Sequence, residues 1–586
     1  MVIMIKEKQK EPYIERVDDI PLLYGLLEQM GIQVIVDEVI KQHGNWKGLK
    51  HGWIIMIWLV HILSEQNHCM EPVQEWVEKH KEVLSRLSGQ KVRELDFSDD
   101  RLGLCLKELH KAEVWQEIEE KLGARLIRVY KLKLEKLRLD ATVSTVGHDP
   151  EKHTLFKVGK AKSGSYERQF KMMLASLDPL GLPIAVDIEP GNVADDPLYV
   201  PIYHRLKQII KEKGLLVVGD SKMSAIGTRG EIVVGLDYYL TPLAWLKDEP
   251  ELLDKLLGEW QKKEEVATNI FLAQDMGEDG SEPAQELAIA YGFEVSRWRQ
   301  VVVEGKTINW KERLLVVRSH SYTKTMQNGL HHRLNKAEAA LKKLTPARSR
   351  GKRQIKDEES LLNAIEKIEK KYRVQGFFSC TYQQEVKERP IRSYKDQPAR
   401  TERQVRYQLT VSRNQEAIIK AEFKAGWRIY ATNAPAERLS LTKSVLAYRD
   451  QYIEENIFRR LQGKFLSINP VYVQRDDHAQ GLFHLLTLGS RLLSLGDYLA
   501  KQSLIKEGSK AELTGVYRGN SKRGTTQPTT ERMLNAFEHI NLLLIPSAIS
   551  STDQDVCFVT QLSPVQERIL TLLGLPTSLY TSLLVG

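Results

Sequence analysis

Three carboxylates, each in its own short string, are the residues of this chain whose types and settings could do chemistry. Asp140 follows alternating apolar residues in LRLDATVS, Asp220 ends an apolar run in LLVVGDSKM, and Glu455 lies in SLTKSVLAYRDQYIEENIFRRLQGK, Ser440 to Lys464. Carboxylates that converge repel one another, so such a set normally holds a hard divalent cation, and oxygen-only ligation favours Mg²⁺ or Mn²⁺. Two such ions can activate a water or a 3′-hydroxyl and stabilise the leaving oxygen in attack on a phosphodiester.

Those acids need elements that bring them together. The stretch from Ser440 reads as one helix: Ser440 is a suitable N-cap, nothing interrupts the following residues, and Gly463 is expected to close the C-terminus in the left-handed conformation. On that helix Tyr448, Gln451 or Tyr452, Glu455, Arg459 and Gln462 form one polar and aromatic stripe, while Leu446, Ile453, Ile457, Phe458 and Leu461 pack elsewhere. From Leu137 the period changes. LRLDATVSTVG, KMMLASLD and LPIAVDIEPG read as three strands separated by turn signals, followed by a helix from Leu198 to Lys213, the strand LLVVGD and a further strand YYLTPL. This is the strand and helix order of a ribonuclease H-like α/β sheet. In it the first and fourth strands are neighbours, which would set Asp140 beside Asp220.

Upstream, residues from Glu15 to about Leu122 read as helical, with GWIIMIWLVHIL as a buried helix and Ser98, Asp99 and Asp100 as a capping cluster. His61, His68 and Cys69 read as structural residues, because nothing nearby completes a metal site. About 200 residues between Pro242 and Leu439 exceed what the sheet needs. Within them Thr323–Leu344 and Asp357–Tyr372 read as an antiparallel helical hairpin with a basic tip, TPARSRGKRQIK, and three strand-like runs follow. A further apolar helix, Gly481 to Leu499, a basic linker and short helical pieces complete the chain.

The overall charge is +8, yet Ser321 to Thr410 carries 21 Lys+Arg against 10 Asp+Glu, so this segment alone has an excess of 11 and the rest sums to −3. A local excess of that size fits a polyanion. No apolar run reaches the roughly 20 residues of a membrane span. Four scattered cysteines without a CxxC pair, and no charged leader, point to the cytoplasm.

With these strings in view, the chain resembles bacterial insertion-sequence transposases of the DDE class, in the branch marked by a Tyr-Arg-Glu-Lys signature. The resemblance is carried by IPLLYGLLEQMG, HGNWKGL, DFSDDRLG, LDATVS, GNVADD, VVGDSKM, GWRIYATNA, QPTTERMLNAF and VQERILTLLGLP. The signature spacing falls on Tyr448, Gln451, Glu455 and Gln462, so glutamine stands at both basic positions; Arg449, Arg459, Arg460 and Lys464 are near enough to substitute. The same spacing prefers Glu455 to Glu454, since Glu455 lies two helical turns after Tyr448.

The resemblance implies a ribonuclease H-like mixed α/β sheet interrupted by a large α+β insertion and preceded by an all-helical domain. The expected segments are 1–130 (helical, end-binding or dimerisation), 131–243 and 439–500 (the two parts of the core), 244–438 (insertion) and 501–586 (tail). It implies a transposase that cleaves double-stranded DNA at inverted-repeat ends and joins the 3′ ends to target DNA, working as a homodimer. Asp140, Asp220 and Glu455 would hold two Mg²⁺ or Mn²⁺. Tyr448, Gln451, Arg459, Gln462 and Lys464, with Arg348, Arg350, Lys352 and Arg353 at the hairpin tip, would contact DNA. Two other functions fit the same residues: a nuclease without strand transfer, and a DNA-binding protein with an idle site.

Overall fold

The computed structural model describes residues 12–161, 163–244, 251–263, 265–275, 284–346, 355–393, 398, 400–545 and 556–584. By internal packing the chain divides into two compact units: Met1–Ala244, Trp298–Trp310 and Ala447–Gly586 form the first, and Trp245–Arg297 with Lys311–Leu446 the second.

The first unit opens with helices, as the recurrence of apolar residues requires. Helix His51–Glu65 is buried from Ile54 to Leu63, which is why its sequence is apolar on every face. Helix Asp99–His110 starts after Ser98 as expected, but the serine side chain makes no capping hydrogen bond. Asp99 and Asp100 in the first turn complement the helix dipole instead.

The sheet of this unit is mixed. Its order is Leu182–Pro190, Tyr166–Asp178, Lys136–Thr145, Leu216–Gly219, Tyr238–Pro242, antiparallel through the first three strands and parallel through the last three. All five strand-like runs of the sequence are therefore present. Helix Tyr199–Ile209 makes the crossover that a parallel neighbour demands. An additional short strand, Lys157–Lys160, pairs with the start of Tyr166–Asp178; only four residues long, it carries too little alternation to be legible in advance.

Helix Asp476–Glu507, 32 residues long, extends well beyond the expected Gly481–Leu499 and packs on strand Leu182–Pro190 and helix Asp99–His110. Its approach to the latter depends on Gly481, where a Cβ would sit 2.1 Å from the Leu106 carbonyl oxygen. Fully buried Glu119 accepts from both Arg205 and Arg491, and Arg205 also reaches Asp187. This cluster ties three helices to the sheet, and burial pushes Arg491 down to about 9. At the other end of the unit, Tyr13–Arg16 pairs antiparallel with Asn541–Ile545, which pairs in turn with Val556–Val559. The sequence showed only short helical pieces in this tail, because such pairing is set by a partner more than 500 residues away.

The second unit holds residues 290–297 of strand Ala290–Val303 and residues 311–319 of strand Lys306–Ser319, and within it Trp427–Thr432 pairs antiparallel with residues 313–318. Helices His320–Lys342 and Glu358–Tyr372 pack together, near the expected bounds, on a two-stranded ribbon of Phe378–Ile391 and Arg400–Arg413. Among the described residues no helix is long and apolar enough to cross a membrane.

Candidate active site: carboxylates beside two parallel strands

Strand register brings the first two acids together. Leu139 pairs with Gly219 in the parallel ladder, so Asp140 and Asp220 follow on adjoining strands, about 4.8 Å apart in the hydrogen-bonding direction. Asp220 is then held from three sides. Its Oδ1 accepts from the Tyr199 hydroxyl at 2.6 Å and from the Lys222 amide at 2.8 Å, and its carbonyl accepts from Thr241 Oγ1 at 2.6 Å. Asp140 Oδ1 accepts from the Ala141 amide at 2.9 Å. Tyr199 is almost fully buried, and its phenol is held well above the ordinary value by burial, by Asp220 and Asp140, and by Glu454.

At the third expected position the structure buries Glu454, 3% exposed, and leaves Glu455, which the signature spacing prefers, exposed. Burial raises the Glu454 carboxyl well above its usual value, Asp140 raises it further, and Asp178 and Asp220 add to the effect against Arg138. Its Oε1 has no hydrogen-bond partner. The expected single helix is broken: the stretch forms Leu441–Arg449 and Tyr452–Gln462, separated at Asp450 and Gln451. Counting two turns from Tyr448 presumes one unbroken helix, and the break resets the phase. Gly463 also departs from expectation, closing the second helix in an extended conformation, φ −78, ψ 174. A signal for Glu454 was present, since it shares a face with Ile457, Phe458 and Leu461 at steps of three, four and seven, all buried.

The break is fastened to the strand that carries Asp140. Arg138, 1% exposed, donates from Nε to Asp178 at 2.7 Å and from Nη2 to the Ala447 carbonyl. Lys136 lies 2.9 Å from Asp178 and 3.4 Å from Asp450. Gly181, at φ 63 in the turn after Asp178, lets the chain pass beside Ile453. Sequence reasoning missed Arg138 and Lys136, though a charged residue two before Asp140 in an otherwise apolar strand was the available sign.

The expected DNA contacts do not form one stripe. Half-buried Tyr448 belongs to the first helix and Gln451 to the break, while Arg459, Gln462 and Lys464 are exposed on or just after the second. Arg459 donates to Asn456 Oδ1 at 2.8 Å. Arg460 is engaged with Glu531 and Asp497 and so is not available to replace a missing basic residue. Arg348, Arg350, Lys352 and Arg353 lie outside the described residues.

Among the described residues no three His, Cys, Asp or Glu side chains form a ready-made metal cage. The donors around Glu454 still suit a hard cation: they are all oxygens, and the unpartnered Oε1 and the mutual repulsion of three acids are relieved by positive charge.

The fold and site define a mixed α/β protein with acids gathered beside two parallel strands. The chain belongs to the transposase DDE domain family, whose model matches residues 132–492. Residues 13–121 match a domain of unknown function, DUF4277. No curated protein matches the chain. Among solved structures it is similar to the cryo-EM structure of a piggyBac transposase synaptic complex with hairpin DNA, at 12% identity, TM-score 0.25, covering 53% of this chain and 61% of that one. A likeness that faint carries no argument.

Proposed function

We propose that the protein is a DNA transposase that cleaves at the inverted-repeat ends of its element and joins the freed 3′ ends to target DNA. The observation that carries this reading is the convergence of Asp140, Asp220 and Glu454, with an orphaned carboxylate oxygen among them, in a chain of the DDE family. The strand order, antiparallel then parallel with the first and fourth strands adjacent, supports a ribonuclease H-like core. Asp140, Asp220 and Glu454 would hold the divalent ions, which when bound activate the attacking oxygen and stabilise the leaving one. The chain's own residues do the positioning. Tyr199 fixes Asp220 through its hydroxyl, and Arg138 and Lys136 hold the Glu454 helix against the Asp140 strand. Exposed Arg459 on the second helix and Lys464 just after it would meet phosphates, with at least two protomers joining two ends.

The test is incubation of the full chain with end duplexes and a supercoiled plasmid in Mg²⁺. Asp140→Asn and Asp220→Asn are expected to abolish cleavage and joining while keeping metal-free DNA binding, and to lose calorimetric Mn²⁺ binding. Cleavage without joined product makes the protein a nuclease instead, and full activity in either variant removes that residue from the site.

A further inference from the structure

The ribbon of the second unit has two unlike faces. Residues directly opposite in an antiparallel pair share a face, so the register assigns every side chain. On one face Phe378, Cys380, Tyr382, Tyr407, Leu409 and Val411 pack against Leu334, Leu341 and Leu361 of the two helices. The other face, read toward the tip, is Ser379 with Ser412, Thr381 with Thr410, Gln383 with Gln408, Glu385 with Arg406, Lys387 with Gln404, Arg389 with Glu402, and Ile391 with Arg400. Every residue type in this series except Ile391 can form hydrogen bonds. The serines, threonines, Gln383, Gln408, Lys387 and Arg389 are exposed, and Gln404 and Arg406 are half-buried.

Solvation alone does not require a face on which Ile391, at the tip, is the one apolar residue and two glutamines are paired. Arg406 and Glu385 are 3.8 Å apart with both partly exposed, a pairing worth little. No described side chain pairs with Lys387 or Arg389. We infer that this face is a DNA-reading surface that enters the major groove of duplex DNA, with Gln383 and Gln408 against base edges and Lys387 and Arg389 on flanking phosphates. The major groove, about 12 Å wide, admits a two-stranded ribbon, and glutamine and arginine offer the paired donors and acceptors that base edges match. Helices backing the other face leave this one free to approach. By register the face carries Lys387, Arg389, Arg400 and Arg406 against Glu385 and Glu402, an excess of cations that complements a polyanion.

The inference rests on the DNA-processing reading above, yet its test needs no metal and no cleavage. Duplexes bound by the full-length parent are selected from a randomised pool, and affinity for the selected sequence and a scrambled one is measured at several salt concentrations. Gln383→Ala with Gln408→Ala is expected to lower the preference for the selected duplex about tenfold or more, with the salt slope unchanged. Lys387→Ala with Arg389→Ala is expected to weaken both duplexes alike and flatten the log–log salt slope by about 1.8. Circular dichroism and thermal midpoint confirm that the variants fold, as these side chains are solvent-facing. Variants that keep the parent's preference and slope overturn the inference, as does stronger competition by single-stranded DNA or RNA than by duplex. If those variants behave like a parent that still cleaves and joins ends, the transposase reading survives alone; a parent that binds no duplex removes both.

Discussion

At the scale of single residues, the neighbours Glu454 and Glu455 separate two accounts of the site. One is buried with an unpartnered oxygen under the influence of Asp140, Asp220 and Asp178; the other faces solvent. Glu454→Gln is therefore expected to abolish end cleavage, and because it removes a carboxyl whose ionisation burial and the other acids oppose, to raise the thermal midpoint of the metal-free protein. Glu455→Gln is expected to change neither beyond about 0.5 kcal/mol of stability. A cleavage assay with differential scanning calorimetry in EDTA checks both, and loss of cleavage in Glu455→Gln alone would reverse the assignment.

At the scale of elements, the second helix is held where Glu454 meets the strand acids by a small set of charges. Arg138, Lys136 and Asp178 join one end of the strand pair to Ala447 and Asp450 at the helix break. Arg138→Met keeps much of the bulk but leaves Asp178 buried beside a half-buried lysine, an imbalance expected to cost about 3–5 kcal/mol in urea unfolding. Adding Asp178→Asn should return much of that stability without returning cleavage, because the Ala447 anchor is still missing. Recovery of both would show that the pair serves stability only. The tip of the helical hairpin belongs to this scale as well. Replacing Arg348, Arg350, Lys352 and Arg353 with alanine is expected to flatten the salt slope of DNA binding by up to about 3.6, at unchanged sequence preference; binding indistinguishable from the parent at two salt concentrations would free the tip of that role.

At the scale of the whole chain, its two ends close one structure in the first unit. Asp18 accepts the Ile540 amide through Oδ1 and the Tyr580 hydroxyl through its carbonyl, at 2.9 and 2.7 Å. Beside it Asp19 is held up to about 7, chiefly by burial, although Ser64 donates to it at 2.6 Å. In the unfolded chain this carboxyl titrates near 3.8, so between there and about 7 the folded protein keeps a proton that the unfolded one has released. Asp19 thus lowers stability as pH rises through that window, with the penalty complete above it and absent below it. Asp19→Asn is expected to flatten the fall in thermal midpoint between the two limits; a parallel shift at every pH would mean that Asp19 does not titrate in this way.

The sequence by itself determined what depends on local pattern. Alternation and apolar runs marked the five strands of the first sheet, and their order set Asp140 beside Asp220, because parallel neighbours require the crossover that Leu198 to Lys213 foretold. Helical recurrence likewise found His51–Glu65, Asp99–His110 and the paired helices of the second unit. What only the tertiary structure decided were the features set by distant partners. Glu454 rather than Glu455 is the buried one of the pair, next to a helix break that Lys136 and Arg138, some 300 residues earlier, contact. Arg460 left the solvent for Asp497 and Glu531, and the tail became strand because Tyr13–Arg16 was there to pair with it. A helix face read from spacing assumes an unbroken helix, and this one breaks where contacts from outside the helix meet it.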